Sequence, residues 1–347
     1  MRRRVMRMLT TVAMVGAVAG GTSGVAATAG PVLWHRPIVV VGANQSNNWS
    51  GYNQGTLEQG GKMFNGITGT WTVPTASQHT AGEAEYSSSW IGIGGGCVDA
   101  GCTVTDSTLI QAGTEQDVAT DGTDSYSAWY ELIPAPSITI DTLAIHAGDK
   151  MFVSISEDTP GSNVWIIIVR DRTQHQSFTT TVPYSSTHAT AEWIEETPVV
   201  IDDGGNVTIG PLPDLSPVRF NKGTTNGAPA GLVKSEEMQL VDTDGTPLAT
   251  PSKPDPTKDG FRDCTFASHC KAPKSGYVDS RRRGARHSLP SHPRAGPGDP
   301  LALAGGPRTH TGAGEPDQFT TRTEVACGPL SPWATSNSTF WFSSRLR

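Results

Sequence analysis

Charged side chains are scarce in this chain: Asp, Glu, Lys and Arg make up 17% of its 347 residues. Glycine (39) and proline (25) are plentiful instead, a balance that suits short strands and turns and works against long helices. Several signatures of known chemistry are missing. There is no G-x-S-x-G elbow and no H-E-x-x-H zinc helix, which removes the commonest serine-hydrolase and zinc-peptidase arrangements. No P-loop occurs, no G-x-G-x-x-G follows a strand, and the Asp-Thr-Gly and Asp-Ser-Gly loops of paired-aspartate enzymes are absent. Beyond the first thirty residues no apolar run approaches the roughly 20 residues of a bilayer-spanning helix.

The N-terminus reads as an address. Arg2, Arg3, Arg4 and Arg7 precede an apolar stretch from Met8 to about Val18, and Ala27-Thr28-Ala29 is an A-x-A cleavage pattern. Residues 1–29 are therefore expected to be a signal peptide, which makes the mature protein secreted, extracellular and free of the membrane. Residues 30–47 read as a linker or short pro-segment.

Charge is unevenly distributed. Residues 30–261 hold 27 Asp and Glu against 10 Lys and Arg, a net of −17; residues 262–347 hold 6 against 12, a net of +6. So acidic a core is a poor partner for nucleic acid. It favours an acidic medium, where protonation relieves its self-repulsion. The tail from 262 on is rich in Arg, Pro and His without periodicity, and reads as disordered or as the product of a shifted reading frame. Of five cysteines, Cys97 and Cys102 are close enough for a small disulfide loop. No second ligand pair stands at metal spacing, so neither metal nor cofactor is expected.

Between Asn48 and Phe261 the chain alternates short apolar-polar runs with Gly, Asp, Asn and Pro clusters. Ile67–Val73 and Tyr86–Ile93 are examples. About a dozen such strands predict an all-β sandwich or barrel. Two polar residues interrupt strand-like runs. Gln111 lies in Leu109-Ile110-Gln111-Ala112-Gly113, and Glu192 in Thr190-Ala191-Glu192-Trp193-Ile194. On an ideal strand Thr190, Glu192 and Ile194 share one face, with Ala191 and Trp193 on the other. An isolated strand Glu is more often a solvated residue, so composition and spacing make the two only candidates.

Six segments together carry a resemblance. They are Asn48-Trp49-Ser50-Gly51-Tyr52, Gly69-Thr70-Trp71-Thr72-Val73-Pro74, Ser89-Trp90-Ile91-Gly92-Ile93, Leu109–Gly113, Ala128-Trp129-Tyr130-Glu131 and Ala191-Glu192-Trp193-Ile194. In this order and spacing they resemble the glutamic peptidases (eqolisins, peptidase family G1), in a bacterial-type form covering residues 48–261. The resemblance implies a two-sheet antiparallel β-sandwich, lectin-like (concanavalin A-like), and an acid endopeptidase, expected to be a monomer, that acts on proteins or peptides. It implies that Glu192 is general base and acid, that Gln111 orients the water and stabilises the oxyanion, and that Trp90, Glu115 and Glu131 support the site or bind substrate. Fungal members carry Asp where this chain has Gly94, and another Asp where it has Glu115. The run Gly94-Gly95-Gly96 is expected to loosen the loop that leads to Cys97.

Two other readings stay open at this stage. One is a lectin-like carbohydrate-binding module built on the abundant tryptophans. The other is a retaining glycosidase using Glu131 and Glu192, which needs carboxyl groups about 5–5.5 Å apart.

Overall fold

The computed structural model describes residues 32–201 and 206–274; the expected signal peptide and the sequence from 275 on, with Cys327, lie outside them. Apart from a 3-10 turn at Lys234–Glu236, the regular structure of the described residues is all β-strand.

The strands that build the fold are β1 (Trp49–Gly55), β2 (Gly66–Thr72), β3 (Ser88–Gly94), β4 (Leu109–Val118), β5 (Asp124–Leu132), β6 (Lys150–Glu157) and β7 (Val164–Asp171). They continue with β8 (Gln176–Pro183), β9 (Thr190–Glu196), β10 (Val218–Thr225), β11 (Glu237–Val241), β12 (Pro247–Pro251) and β13 (Phe261–Thr265). One antiparallel sheet runs β5-β4-β3-β9-β1-β11. The other runs β8-β7-β6-β2-β10. Along one side the pairings β10–β13, β13–β12 and β12–β11 join the two. This is the expected β-sandwich.

Strand alternation divides each strand between two environments. Ile91, Ile93, Ile110, Ala112, Ala191 and Trp193 of the first sheet pack between the sheets. They meet Ile67, Trp71, Val153, Ile155, Trp165 and Ile167 of the second. The other face of the first sheet carries its own apolar cluster, Trp49, Trp90, Leu109, Trp129 and Ile194, together with Ile38. Both faces are therefore covered, and every residue of β1, β3 and β9 is buried.

Two stretches depart from expectation. The segment read as linker or pro-segment is strand-paired from residue 32 on: Val32–Trp34 pairs with Val199–Ile201, and Val40–Gly42 pairs with Gln45–Ser46. The core also does not stop at 261. Phe261–Thr265 is a strand paired on both sides, and a Cys264–Cys270 disulfide follows it. The alternation there is hidden because the second inward position is a carboxylate: Asp263 is buried and accepts the Ser50 hydroxyl at 2.7 Å.

Candidate active site

The register of the first sheet sets one row of side chains across five strands. Asn53 on β1 pairs with Glu192 on β9, Glu192 with Gly92 on β3, Gly92 with Gln111 on β4, and Gln111 with Glu131 on β5. Cross-strand partners point to the same face, so Glu192 and Gln111 face each other across Gly92, which has no side chain. At roughly 4.8 Å per strand the two backbones stand about 10 Å apart, a gap their side chains can narrow to the width of a water. A Cβ on Gly92 would come within 2.9 Å of the Trp90 ring and 3.0 Å of Leu109. Glycine is what the spacing requires.

Glu192, Gln111 and Glu131 have no exposed surface. Gln111 donates from Nε2 to Glu131 Oε2 at 2.8 Å, which fixes the amide and leaves one N–H unused. Gln111 Oε1, Glu131 Oε1 and both carboxyl oxygens of Glu192 have no protein hydrogen-bond partner. Four buried oxygens without a partner in one row are costly and mark a place built for something other than stability. Burial raises Glu192 well above the usual carboxylate range, opposed by the neighbouring Thr190 hydroxyl and reinforced by the charge of Asp106. Burial likewise pushes Glu131 up to about 8, against the pull of the His35 cation and of Gln111 and with the push of Glu196 and Glu115.

The loop after β3 closes over Glu192. The Asn53 side chain grips Cys97 from both sides, accepting its N–H at 3.0 Å and donating to its carbonyl at 2.8 Å. Cys97 is bridged to Cys102. The glycines of this loop serve close approach, not looseness. A Cβ at Gly96 would fall 1.7 Å from Asn53 Oδ1 and 2.7 Å from Glu192 Oε1. Gly94 has φ +96°, and a Cβ there would sit 2.0 Å from the Thr108 carbonyl oxygen, so this backbone has no room for the Asp of fungal relatives.

The remaining predicted residues lie along the strands, away from the row. Trp90 is two residues along β3 from Gly92, paired with Gly113 and Ile194; its indole N–H donates to Glu196 at 2.8 Å and its ring meets Trp49 edge-on. Glu115, four residues past Gln111, is about 13 Å along β4 and does not reach the row of Glu192 and Gln111. It sits level with Glu196, four past Glu192, each paired with Ser88. Both carboxylates hold His35, a residue of the expected linker. Period-two spacing from Glu192 could have flagged Glu196; no sequence signal pointed to His35.

Glu131 and Glu192 stand three strands apart, about 14 Å between backbones, with Gln111 between them and bonded to Glu131. That is not the pairing of a retaining glycosidase, so the reading that used these two carboxylates fails.

The chain belongs to the Peptidase A4 family, the glutamic endopeptidases, whose family model matches residues 47–258. It is 26% identical over 230 residues to Aspergillopepsin-2 of Aspergillus niger, covering 60% of this chain and 74% of that protein. Among solved structures it is similar to scytalido-glutamic peptidase with a transition state analog inhibitor. There the identity is 20%, the match covers 63% of this chain and 98% of that one, and the TM-score is 0.49. Similarity extends to aspergilloglutamic peptidase from Aspergillus niger, at 25% identity, 52% and 99% coverage and a TM-score of 0.41. The chain is thus a hydrolase of peptide bonds.

Proposed function

We propose that the chain is a secreted acid endopeptidase in which Glu192 and Gln111 activate water. The observation that carries this is the opposed pair across Gly92 with its unmatched oxygens. Glu192 as carboxylate takes a proton from the water as its oxygen attacks the scissile carbonyl carbon. Gln111 holds that water through Oε1, and its spare N–H donates to the oxyanion. Glu192 then returns the proton to the leaving amine as the C–N bond breaks. Glu131 touches no reacting atom in this scheme; it positions Gln111.

The pH at which this works follows from the environment of Glu192. While the face is closed, burial favours the protonated acid. When the face opens to water, the carboxyl returns toward its ordinary value of about 4.3 and becomes a usable base in acid. Gln111 does not titrate, so the pair needs no second ionisation. The acidic core, net −17 over residues 30–261, fits the same medium.

The test is cleavage of a denatured protein substrate at acid pH by the full chain in the presence of pepstatin, beside Glu192→Ala and Gln111→Ala. Wild type is expected to cleave, Gln111→Ala to lose about 10²–10³ in kcat as an oxyanion donor would, and Glu192→Ala to be inactive. Retained cleavage by Glu192→Ala sinks the mechanism.

A further inference from the structure

The outer face of the second sheet, on the far side of the sandwich from Glu192 and Gln111, takes no part in the chemistry proposed above. Alternation along β2, β6, β7, β8 and β10 sends every second side chain outward there, and none of these is Asp or Glu. Lys150, Arg170 and Arg219 are among them, and Arg172 follows β7 directly. These are four of only ten Lys and Arg in residues 30–261, set against 27 Asp and Glu. The face is a basic patch on an acidic protein.

Register brings the four cations to one end of the sheet. Lys150 pairs with Thr72, and Arg172 donates its N–H to the Lys150 carbonyl at 2.8 Å. Phe152 pairs with Thr70 on one side and Arg170 on the other. Asn221 also pairs with Thr70, so Arg219, two residues earlier, points outward beside Thr72. Between them lies a pocket of about 170 Å³ whose lining includes Thr72, Lys150, Arg172 and Arg219. The Phe152 ring steadies two guanidinium groups, with Arg172 4.8 Å and Arg170 5.8 Å from its centroid. Among the described residues no carboxylate forms an ion pair with Lys150, Arg170 or Arg172. Positive charges held this close repel one another until an anion sits between them.

We propose that this pocket binds a sulfate or phosphate ester group, and that the cations around it dock the protein on a polyanionic glycan carrying such groups. Guanidinium and ammonium groups from neighbouring strands suit an oxyanion with several acceptor oxygens. Past the pocket the same face offers the hydroxyls of Ser154, Thr179 and Thr181 to the sugars. A nucleic acid fits less well. The one aromatic ring among these outward side chains, Phe152, is taken up by two arginines, so bases have nothing to stack on. A carboxylate partner, a second copy of this chain included, loses charge in an acid medium, while sulfate and phosphate esters keep theirs. That choice rests on the acid peptidase reading; the pocket and its charge do not. A chain held by this face keeps Glu192 and Gln111 on the side away from the polymer.

The test is calorimetric titration of the full chain with dextran sulfate at pH 4, beside two triple variants. Lys150→Gln with Arg170→Gln and Arg172→Gln removes exposed cations of the patch. Lys234→Gln with Lys253→Gln and Lys258→Gln removes equal charge from a different pocket. The patch variant is expected to bind about tenfold more weakly, and the control variant to stay within about twofold of wild type. All three proteins carry the same basic tail, so its contribution cancels. Equal losses in the two variants, or no binding by wild type, overturns the proposal. Neutral dextran or polygalacturonate bound as tightly as dextran sulfate overturns the ester assignment. Sedimentation without polymer is run alongside, and self-association that depends on the three patch residues makes a second copy the occupant and overturns the glycan. Cleavage of a short peptide is expected to change by less than about twofold when the polymer is bound; strong inhibition places the polymer on the site face and overturns the proposal. Binding of the polymer by a wild type that cleaves nothing upholds the pocket and sinks the dyad instead. If the patch variant does not melt cooperatively, wild type is titrated while its Lys and Arg side chains are followed by NMR. Shifts at Lys150 and Arg172 are expected, and shifts confined to other residues overturn the assignment.

Discussion

Replacing Asp263 by Asn should flatten the pH dependence of stability. Asp263 is fully buried on β13, where it accepts the Ser50 hydroxyl at 2.7 Å. Burial pushes its carboxyl up to about 7, against the pull of Ser50 and of the Cys264 backbone. In the unfolded chain the same group titrates near 3.9. Between those values the native state keeps a proton that the unfolded state has lost, so stability falls as pH rises from about 4 to about 7 and then levels. A shift of about three units at 1.36 kcal/mol each amounts to about 4 kcal/mol, a large part of the roughly 5–15 kcal/mol that holds a domain together. An Asn side chain keeps an acceptor for Ser50 and cannot ionise. Urea unfolding at pH 3, 5 and 7 is the assay. Relative to its own value at pH 3, the Asp263→Asn variant should retain about 4 kcal/mol more at pH 7 than wild type, or about 10 °C in Tm. Parallel pH curves for the two proteins would refute the argument.

The other expectations concern the site and the tail. Gly92→Ala should abolish most cleavage while changing stability by only about 1–3 kcal/mol, because its methyl group enters the gap between Glu192 and Gln111 and presses on Trp90; paired kcat and melting measurements check this. Glu131→Gln keeps an acceptor for Gln111 Nε2 and should stay within about tenfold of wild type, whereas Glu131→Ala should lose about 10² in kcat with KM little changed. Truncation after residue 261 should prevent folding, since it removes β13, which pairs with both β10 and β12; truncation after 274 should leave a cooperative melt. Removing the Cys264–Cys270 bridge should lower stability by about 2 kcal/mol, read by denaturation with and without reductant.

What could be read in advance depended on how far each feature is local. On β9 the period of two separates Ala191 and Trp193 from Glu192 and Ile194, and the structure keeps that division. Gly92 was visible as a motif residue, but its role arises from register with β9 on one side and β4 on the other, which no single strand encodes. The same holds for Glu195, which shares a face with Trp193 and meets the Ser89 hydroxyl between the sheets. The sequence pattern of β13 breaks off after Phe261 because Asp263 occupies an inward position where the alternation calls for an apolar residue. His35 escaped because its partners, Glu115 and Glu196, are 80 and 161 residues away. The three glycines after Ile93 suggest mobility by composition, yet each is buried and close-packed.

Four of the buried carboxyls fall on opposite sides of one sheet, and this separates two effects of pH. Glu192 and Glu131 face the site, while Glu195 and Asp263 lie between the sheets. Burial raises all four, so each favours the acid form and each withdraws stability as pH rises. Only the first pair shares a row with Gln111. On the proposed mechanism, a loss of activity toward neutral pH would have two sources, unfolding driven from the core and the changing charge of the site. A variant that cures the first, such as Asp263→Asn, should remain folded at pH 7 without regaining acid-level cleavage. On the proposed mechanism the chemistry would stay acid-dependent in that variant, because it depends on a face the core carboxyls never reach.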